Sequence, residues 1–281
     1  MNNSKALKSI EYYIEFLQKI QKDNLKVPAS HDSIFKFNNN SKSYYQKLYL
    51  QQQNKKDKDI ARRSNNPFCN ECSNFFLEER KKIDKSKDLV LGNKLEYHFQ
   101  SFIEEKLNTA LAASGKNISI KCVRADEENM HMPDFKIVRV HDDKTLAFFE
   151  FKCIFRPFIS ISSFVHEDFK CYSHSLTLDK GSKNIKQKLQ NQRDLVQKLD
   201  INNVDYVYWY DIPCIKGIFS LSAKKVYDLM DNQKVYTRQS SRGDYNKKGI
   251  KIGSDDKIYL PLVNMDDFRN LLNKYYALAI A

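Results

Sequence analysis

Asp134, Glu150 and Lys152 are the residues of this chain whose types and spacing point most directly to chemistry. They stand in MPDFKIVRVHDDKTLAFFEFKC, residues 132–153, where two apolar runs flank a polar turn. Side chains alternate between the two faces of a strand. Along LAFFEFKCIF this sends Leu146, Phe148, Glu150, Lys152 and Ile154 to one face, and Ala147, Phe149, Phe151, Cys153 and Phe155 to the other. A reversal at HDDK, around Asp142 and Asp143, then brings Asp134 opposite residues 150–152 by antiparallel pairing. Two carboxylates and one ammonium on a half-buried face are costly to desolvate without partners, and a divalent cation supplies the missing positive charge. Magnesium fits, because it takes one or two carboxylates and keeps waters and phosphate oxygens as its other ligands. Such an ion polarises a phosphodiester and lowers the pKa of a bound water, with Lys152 orienting that water or stabilising charge on the phosphate. The blander alternative is that Asp134 merely opens a strand after Pro133 and that Glu150 and Lys152 form a solvated pair.

The order Pro133-Asp134, fifteen residues, Glu150-Phe151-Lys152 resembles the motif of the PD-(D/E)xK nuclease superfamily. The resemblance extends over residues 88–215. It implies a mixed central β-sheet flanked by helices, as in many restriction endonucleases and DNA repair or recombination nucleases. It also implies Mg²⁺ (with Mn²⁺ able to substitute) held by Asp134 and Glu150, and Lys152 as the catalytic lysine. An acid on the helix before the hairpin often completes such sites, and Glu96 in GNKLEYHFQ occupies that place; Gln192 matches the polar residue on the helix after the lysine strand. Each has a structural alternative. Glu96 lies three residues after Asn93 and completes a capping box if Asn93 caps the helix, while Gln192 could be a rim position in an imperfect apolar stripe. His131, beside the motif, either touches substrate or is an exposed loop residue.

The elements that must position these groups are legible in part. SKALKSIEYYIEFLQKI carries Leu7, Ile10, Tyr13/Ile14 and Leu17 at helical spacing. A polar, Asn/Gln/Lys-rich stretch follows, with a further helix expected around Tyr44 to Gln53. In GNKLEYHFQSFIEEKLNTAL, Leu95, Phe99, Phe102, Ile103 and Leu107 recur as one helical face behind Asn93 as the expected cap. NISIKCVRA, DFKIVRV and LAFFEFKCIF read as strands. SKNIKQKLQNQRDLVQKL sets Ile185, Leu189, Val196 and Leu199 on one side of a helix that also contains Gln192. VDYVYWYDI and KGIFSLS read as strands, AKKVYDLM as a short helix and DDFRNLLNKYYALAIA as a closing helix. The expected class is therefore α/β (α+β), with a restriction-endonuclease-like core over residues 86–281 and a helical, basic appendage over residues 1–85 that contributes to DNA binding or dimerisation.

At 281 residues with 41% hydrophobic and 29% charged residues, the chain can bury an extensive core. No apolar run approaches the ~18 residues that span a bilayer, and MNNSKALKSI lacks a signal-peptide core. A cytoplasmic address without membrane contact is expected. The net charge of +12 favours a polyanionic partner, and residues 1–90 hold 18 Lys and Arg against 11 Asp and Glu. Arg238, Arg242, Lys247, Lys248 and Lys251, in TRQSSRGDYNKKGIKIG, are candidates for gripping double-stranded DNA. Cys69 and Cys72 form a CxxC that could hold structural Zn²⁺ together with Cys171 and His174; the alternative is unrelated reduced thiols. No GxxxxGK loop occurs, so ATP is not expected to take part. The resulting expectation is a restriction-type (type II) DNA endonuclease acting as a homodimer. The alternatives are a structure-specific repair, recombination or phage-defence nuclease, and a catalytically silent nucleic-acid-binding module.

Overall fold

The computed structural model of the chain describes residues 3–23, 25, 85–154, 187–212, 215–232, 236–238, 244–245, 251–253, 257–260 and 265–281. In chain order these form α1 (Asn3–Lys22), α2 (Lys85–Ala113), β1 (Ile120–Arg124), β2 (Phe135–Arg139), β3 (Lys144–Ile154), α3 (Gln187–Lys198) and a single 3₁₀ turn (Ile201–Asn203). They continue as β4 (Val204–Ile212), β5 (Ile215–Ser222), α4 (Ala223–Asp231), β6 (Tyr236–Arg238), β7 (Asp244–Tyr245), β8 (Lys251–Gly253), β9 (Lys257–Tyr259), β10 (Asp266–Asp267) and α5 (Phe268–Ile280). The central sheet has six strands in the order β1-β2-β3-β4-β5-β10, antiparallel throughout except for the parallel pair β3 and β4. A parallel pair needs a crossover connection, and α3 lies on it. β6 with β9, and β7 with β8, make two separate two-stranded ribbons.

Strand alternation divides the interior into two layers. On one side Phe149 and Phe151 of β3 and Val207 and Trp209 of β4 pack with residues of α1, α2 and α5. On the other, Tyr206, Tyr208 and Tyr210 of β4 pack with Val196 of α3 and with Val226 and Tyr227 of α4. The mixed α+β class expected from the sequence, a mixed sheet flanked by helices, is the one found. Helix α1 is part of this construction. Tyr13 stacks on Trp209 with ring centroids 5.7 Å apart, and Phe16 meets Phe99 and Trp209 edge-on. Tyr13, Phe16, Leu17 and Ile20 of α1 thus lie in the same apolar layer as α2 and α5. The helix expected around Tyr44 to Gln53 lies outside the described residues.

Helix α2 starts earlier than its sequence signals imply. Leu91 is buried one turn before Leu95, so the apolar stripe continues through Gly92 and Asn93, and Asn93 is an interior helical residue rather than a cap. The helix ends where Gly115 adopts φ 71°, a left-handed conformation that glycine takes without a Cβ penalty. There the amides of Gly115 and Lys116 return to the carbonyls of Ala112 and Leu111. Polar residues four apart on α2 also read along the open edge of β1. Asn108 exchanges two hydrogen bonds with the backbone of Ile120, while Glu104 and Gln100 take the amide and carbonyl of Cys122. These bonds satisfy an edge that would otherwise present unpaired groups.

The hairpin of β2 and β3 turns at residues 140–143, with Asp143 at φ 52°. A bulge lies opposite Ile137 and Val138, whose partners are Ala147 and Thr145. The extra residue is Leu146, and it resets the alternation. Leu146 consequently packs in the layer of Ala147, Phe149 and Phe151 rather than on the face of Glu150, to which simple alternation assigns it.

Candidate functional site

Beyond the bulge the period of two is regular, and Glu150 and Lys152 project together from β3. The Lys152 ammonium lies 2.5 Å from Glu150 Oε1. Asp134 immediately precedes β2, whose Phe135 pairs with Phe149. Its Oδ2 accepts a 2.7 Å hydrogen bond from the amide of Phe151, the residue between Glu150 and Lys152. The carboxylate is thereby pinned against the strand that carries the other two groups. From the far side of the crossover, α3 brings Gln192, whose Nε2 donates to Glu150 Oε2 at 3.1 Å. Asp134, Glu150, Lys152 and Gln192 are therefore brought together, with Glu150 and Gln192 buried.

The electrostatics are unbalanced. Burial and the charge of Glu150 push the Asp134 carboxyl up to about 7, against the opposing pull of Lys152 and the Phe151 amide; Glu96 adds to the rise. Burial works against the charged form of Lys152, but the Glu150 and Asp134 carboxylates outweigh it and raise its pKa well above that of a free lysine. The site thus holds one more acid than its lysine can neutralise.

Glu96 lies beside this cluster but is engaged elsewhere. Arg124 Nη1 donates to Glu96 Oε2 at 2.7 Å, and the same guanidinium grips Asp126 through Nε at 2.9 Å and Nη2 at 2.6 Å. It also lies 4.8 Å from the Phe135 ring centroid. Glu96 is the fourth member of the stripe Glu96, Gln100, Glu104, Asn108, and Arg124 follows Ile120 and Cys122 at the matching spacing on β1. The capping-box reading of Glu96 falls with Asn93 inside the helix. What sequence reasoning missed was Arg124 as its partner; the signal was the four-residue repeat of polar groups facing every second residue of β1.

His131 is half-buried in the loop ahead of Asp134, so the exposed-loop reading does not hold. Its Nε2 lies 3.4 Å from Nδ2 of Asn191, which docks the loop onto α3 next to Gln192. Arg238 sits on β6 and Lys251 on β8, while Arg242, Lys247 and Lys248 lie outside the described residues. Cys69, Cys72, Cys171 and His174 also lie outside them.

Among the described residues no group of three His, Cys, Asp or Glu side chains is placed to hold a metal ion. A fully protein-caged ion is therefore not what this cluster offers. Two carboxylates suit a hard cation that keeps much of its water, and Asp134 and Glu150 are the pair that could hold one here. No helix of the described residues is long and apolar enough to cross a membrane.

No family model matches the chain, and no curated protein matches it. Among solved structures, a nuclease from a fusselovirus superposes with a TM-score of 0.40 at 10% sequence identity, over 65% of this chain and 90% of that one. The functional reading consequently rests on the geometry of the site itself.

Proposed function

We propose that the chain is a metal-dependent nuclease that hydrolyses phosphodiester bonds of double-stranded DNA, with a PD-(D/E)xK-type site, and that it acts as a restriction-type endonuclease. The observation that carries this reading is the meeting of Asp134, Glu150 and Lys152 around the Phe151 amide, with a carboxylate in excess. Asp134 and Glu150 would hold Mg²⁺, which when bound supplies a polarised phosphate and a water of lowered pKa. Lys152, kept protonated by its acidic neighbours, donates to the attacking water or to a phosphate oxygen, and Gln192 fixes the free rotation of Glu150. Glu96 acts through Arg124, holding the end of β1 against α2.

The basic residues Arg238, Arg242, Lys247, Lys248 and Lys251 supply phosphate contacts, and affinity should fall steeply with salt. A two-fold DNA site would call for a homodimer. The test is digestion of a mapped plasmid by the full chain with Mg²⁺ or Mn²⁺, with and without EDTA. Discrete fragments that vanish with EDTA support the restriction-type reading. A smear or a preference for branched DNA favours a structure-specific nuclease, and no cleavage with any divalent ion defeats the proposal.

A further inference from the structure

The buried side of the candidate site continues past Gln192 into groups that the proposed chemistry does not use. Tyr206 of β4 is the register partner of Glu150 across the parallel pair. Its hydroxyl donates to Gln192 Oε1 at 3.3 Å and lies 2.9 Å from the hydroxyl of Tyr227 on α4. A tyrosine hydroxyl has one proton; when that of Tyr206 goes to Gln192, Tyr227 is the donor between the two rings, a bond in which either hydroxyl can donate. The amide of Gln192 has one orientation, because turning it would set its oxygen against the Glu150 carboxylate. Tyr227 is held in turn by Arg193, whose guanidinium lies 5.0 Å from the ring centroid and grips Asp231 at 2.8 and 2.6 Å, joining α3 to α4.

We propose that Tyr206 and Tyr227 are positioning residues for the metal-binding carboxylate. A one-way chain of donors, Tyr227 to Tyr206 to Gln192 to Glu150 Oε2, holds Glu150 so that Oε1 can exchange the Lys152 ammonium for a divalent cation without rotation of the carboxylate. This rests on the metal-binding reading of Asp134 and Glu150. Glu150, Gln192, Tyr206 and Tyr227 are all buried, and in such surroundings successive hydrogen bonds reinforce one another. Burial also raises the pKa of both phenols, that of Tyr227 to about 12, so both remain donors at any working pH. A role confined to satisfying buried polar atoms would need the bonds but would leave metal affinity untouched.

The experiment is titration of the full chain with Mn²⁺, following free ion by electron paramagnetic resonance. The proteins are the parent, Tyr206→Phe, Tyr227→Phe, Gln192→Ala and the double variant Tyr206→Phe/Gln192→Ala, with circular dichroism to establish folding and DNA cleavage measured alongside. Groups that orient a metal ligand typically contribute about 10–100-fold in affinity. Tyr206→Phe should weaken Mn²⁺ binding about tenfold, Tyr227→Phe less, and Tyr206→Phe should add nothing once Gln192 is alanine, because the chain is already cut. Affinities within about twofold of the parent, or the same loss in both backgrounds, overturn the inference. Should Tyr206→Phe fail to fold, Tyr227→Phe decides by the same criterion. A parent that binds Mn²⁺ yet cuts no DNA defeats the nuclease reading while the affinities still decide this one, and a parent that binds no Mn²⁺ overturns it outright.

Discussion

Two buried acid–lysine pairs lie on opposite faces of the same sheet, and they are built for different ends. On the face covered by α1, α2 and α5, Asp205 of β4 accepts from the Lys274 ammonium at 2.6 Å and from the Tyr275 hydroxyl at 3.0 Å. On the other face, Glu150 takes Lys152 at 2.5 Å and Gln192 at 3.1 Å. Burial is similar, at 3% exposure for Asp205 and 7% for Glu150. The partners are not. Asp205 and Lys274 belong to β4 and α5, so their bond fastens a helix to the sheet. Glu150 and Lys152 are two residues apart on one strand, so the bond between them joins no two elements. Beside them stands a second carboxylate, Asp134, bonded to the backbone between the two. The Asp205–Lys274 pair spans two elements, whereas the Glu150–Lys152 pair spans none and is crowded by a second acid, which is what the proposed cation-binding reading requires.

The largest expected effect breaks the symmetry between the pairs. Lys152→Ala and Asp134→Asn should each lower single-turnover cleavage by at least about 10³-fold, since groups of this kind act as a unit, while circular dichroism stays that of the parent. Lys274→Met should leave the rate per folded molecule within about threefold. It should instead lower stability by about 2–3 kcal/mol, read from the urea midpoint, because Asp205 remains buried without its counter-charge. Equal losses of cleavage from both faces would erase the distinction.

A pH measurement sharpens the comparison further. In the metal-free protein the Asp134 carboxyl is raised to about 7, against about 3.9 for an unfolded chain. Between these values the folded state binds more protons than the unfolded state, so stability falls as pH rises through that window. The contribution lost is on the order of 1–3 kcal/mol. Asp205 is shifted in the same sense by burial, so the diagnostic quantity is the difference between parent and Asp134→Asn. The variant should be the more stable of the two at pH 8 and of similar stability at pH 4, and Mg²⁺ should narrow the gap at pH 8. A difference independent of pH would remove the unmatched acid from the account.

The smallest effect belongs to the edge of the sheet. Glu96→Gln keeps a group that can accept from Arg124 and should reduce cleavage by tenfold or less. A loss matching that of Asp134→Asn would make Glu96 a metal ligand instead.

Much of this arrangement is legible in the sequence, and what is not has physical causes. Alternation in FEFK separates Phe149 and Phe151 from Glu150 and Lys152, because a strand between two layers must sort its side chains by face. The same rule misplaces Leu146, since a bulge adds a residue without any mark in composition. The early start of α2 is obscured by Gly92 and Asn93, whose local preferences yield to the burial of Leu91 and Leu95. Gln192 is recognisable as a polar residue among Leu189, Val196 and Leu199. Tyr206 and Tyr227 are not, because tyrosines in an apolar strand and a short amphipathic helix read as core, and only the parallel pairing of β3 with β4 sets Tyr206 beside Glu150. Arg124 is hidden likewise, since its partner Glu96 comes from the preceding helix.

The central claim, that Glu150 is a metal ligand of a hydrolytic site rather than half of a structural ion pair, is tested most directly by single-turnover cleavage of plasmid DNA with Mg²⁺ by the parent and by Glu150→Gln. The substitution keeps the shape of the side chain and removes the charge that holds the cation. The account predicts EDTA-sensitive cleavage by the parent and loss of several orders of magnitude in a variant whose circular dichroism is unchanged. A well-folded Glu150→Gln protein that cuts at the parental rate would contradict it.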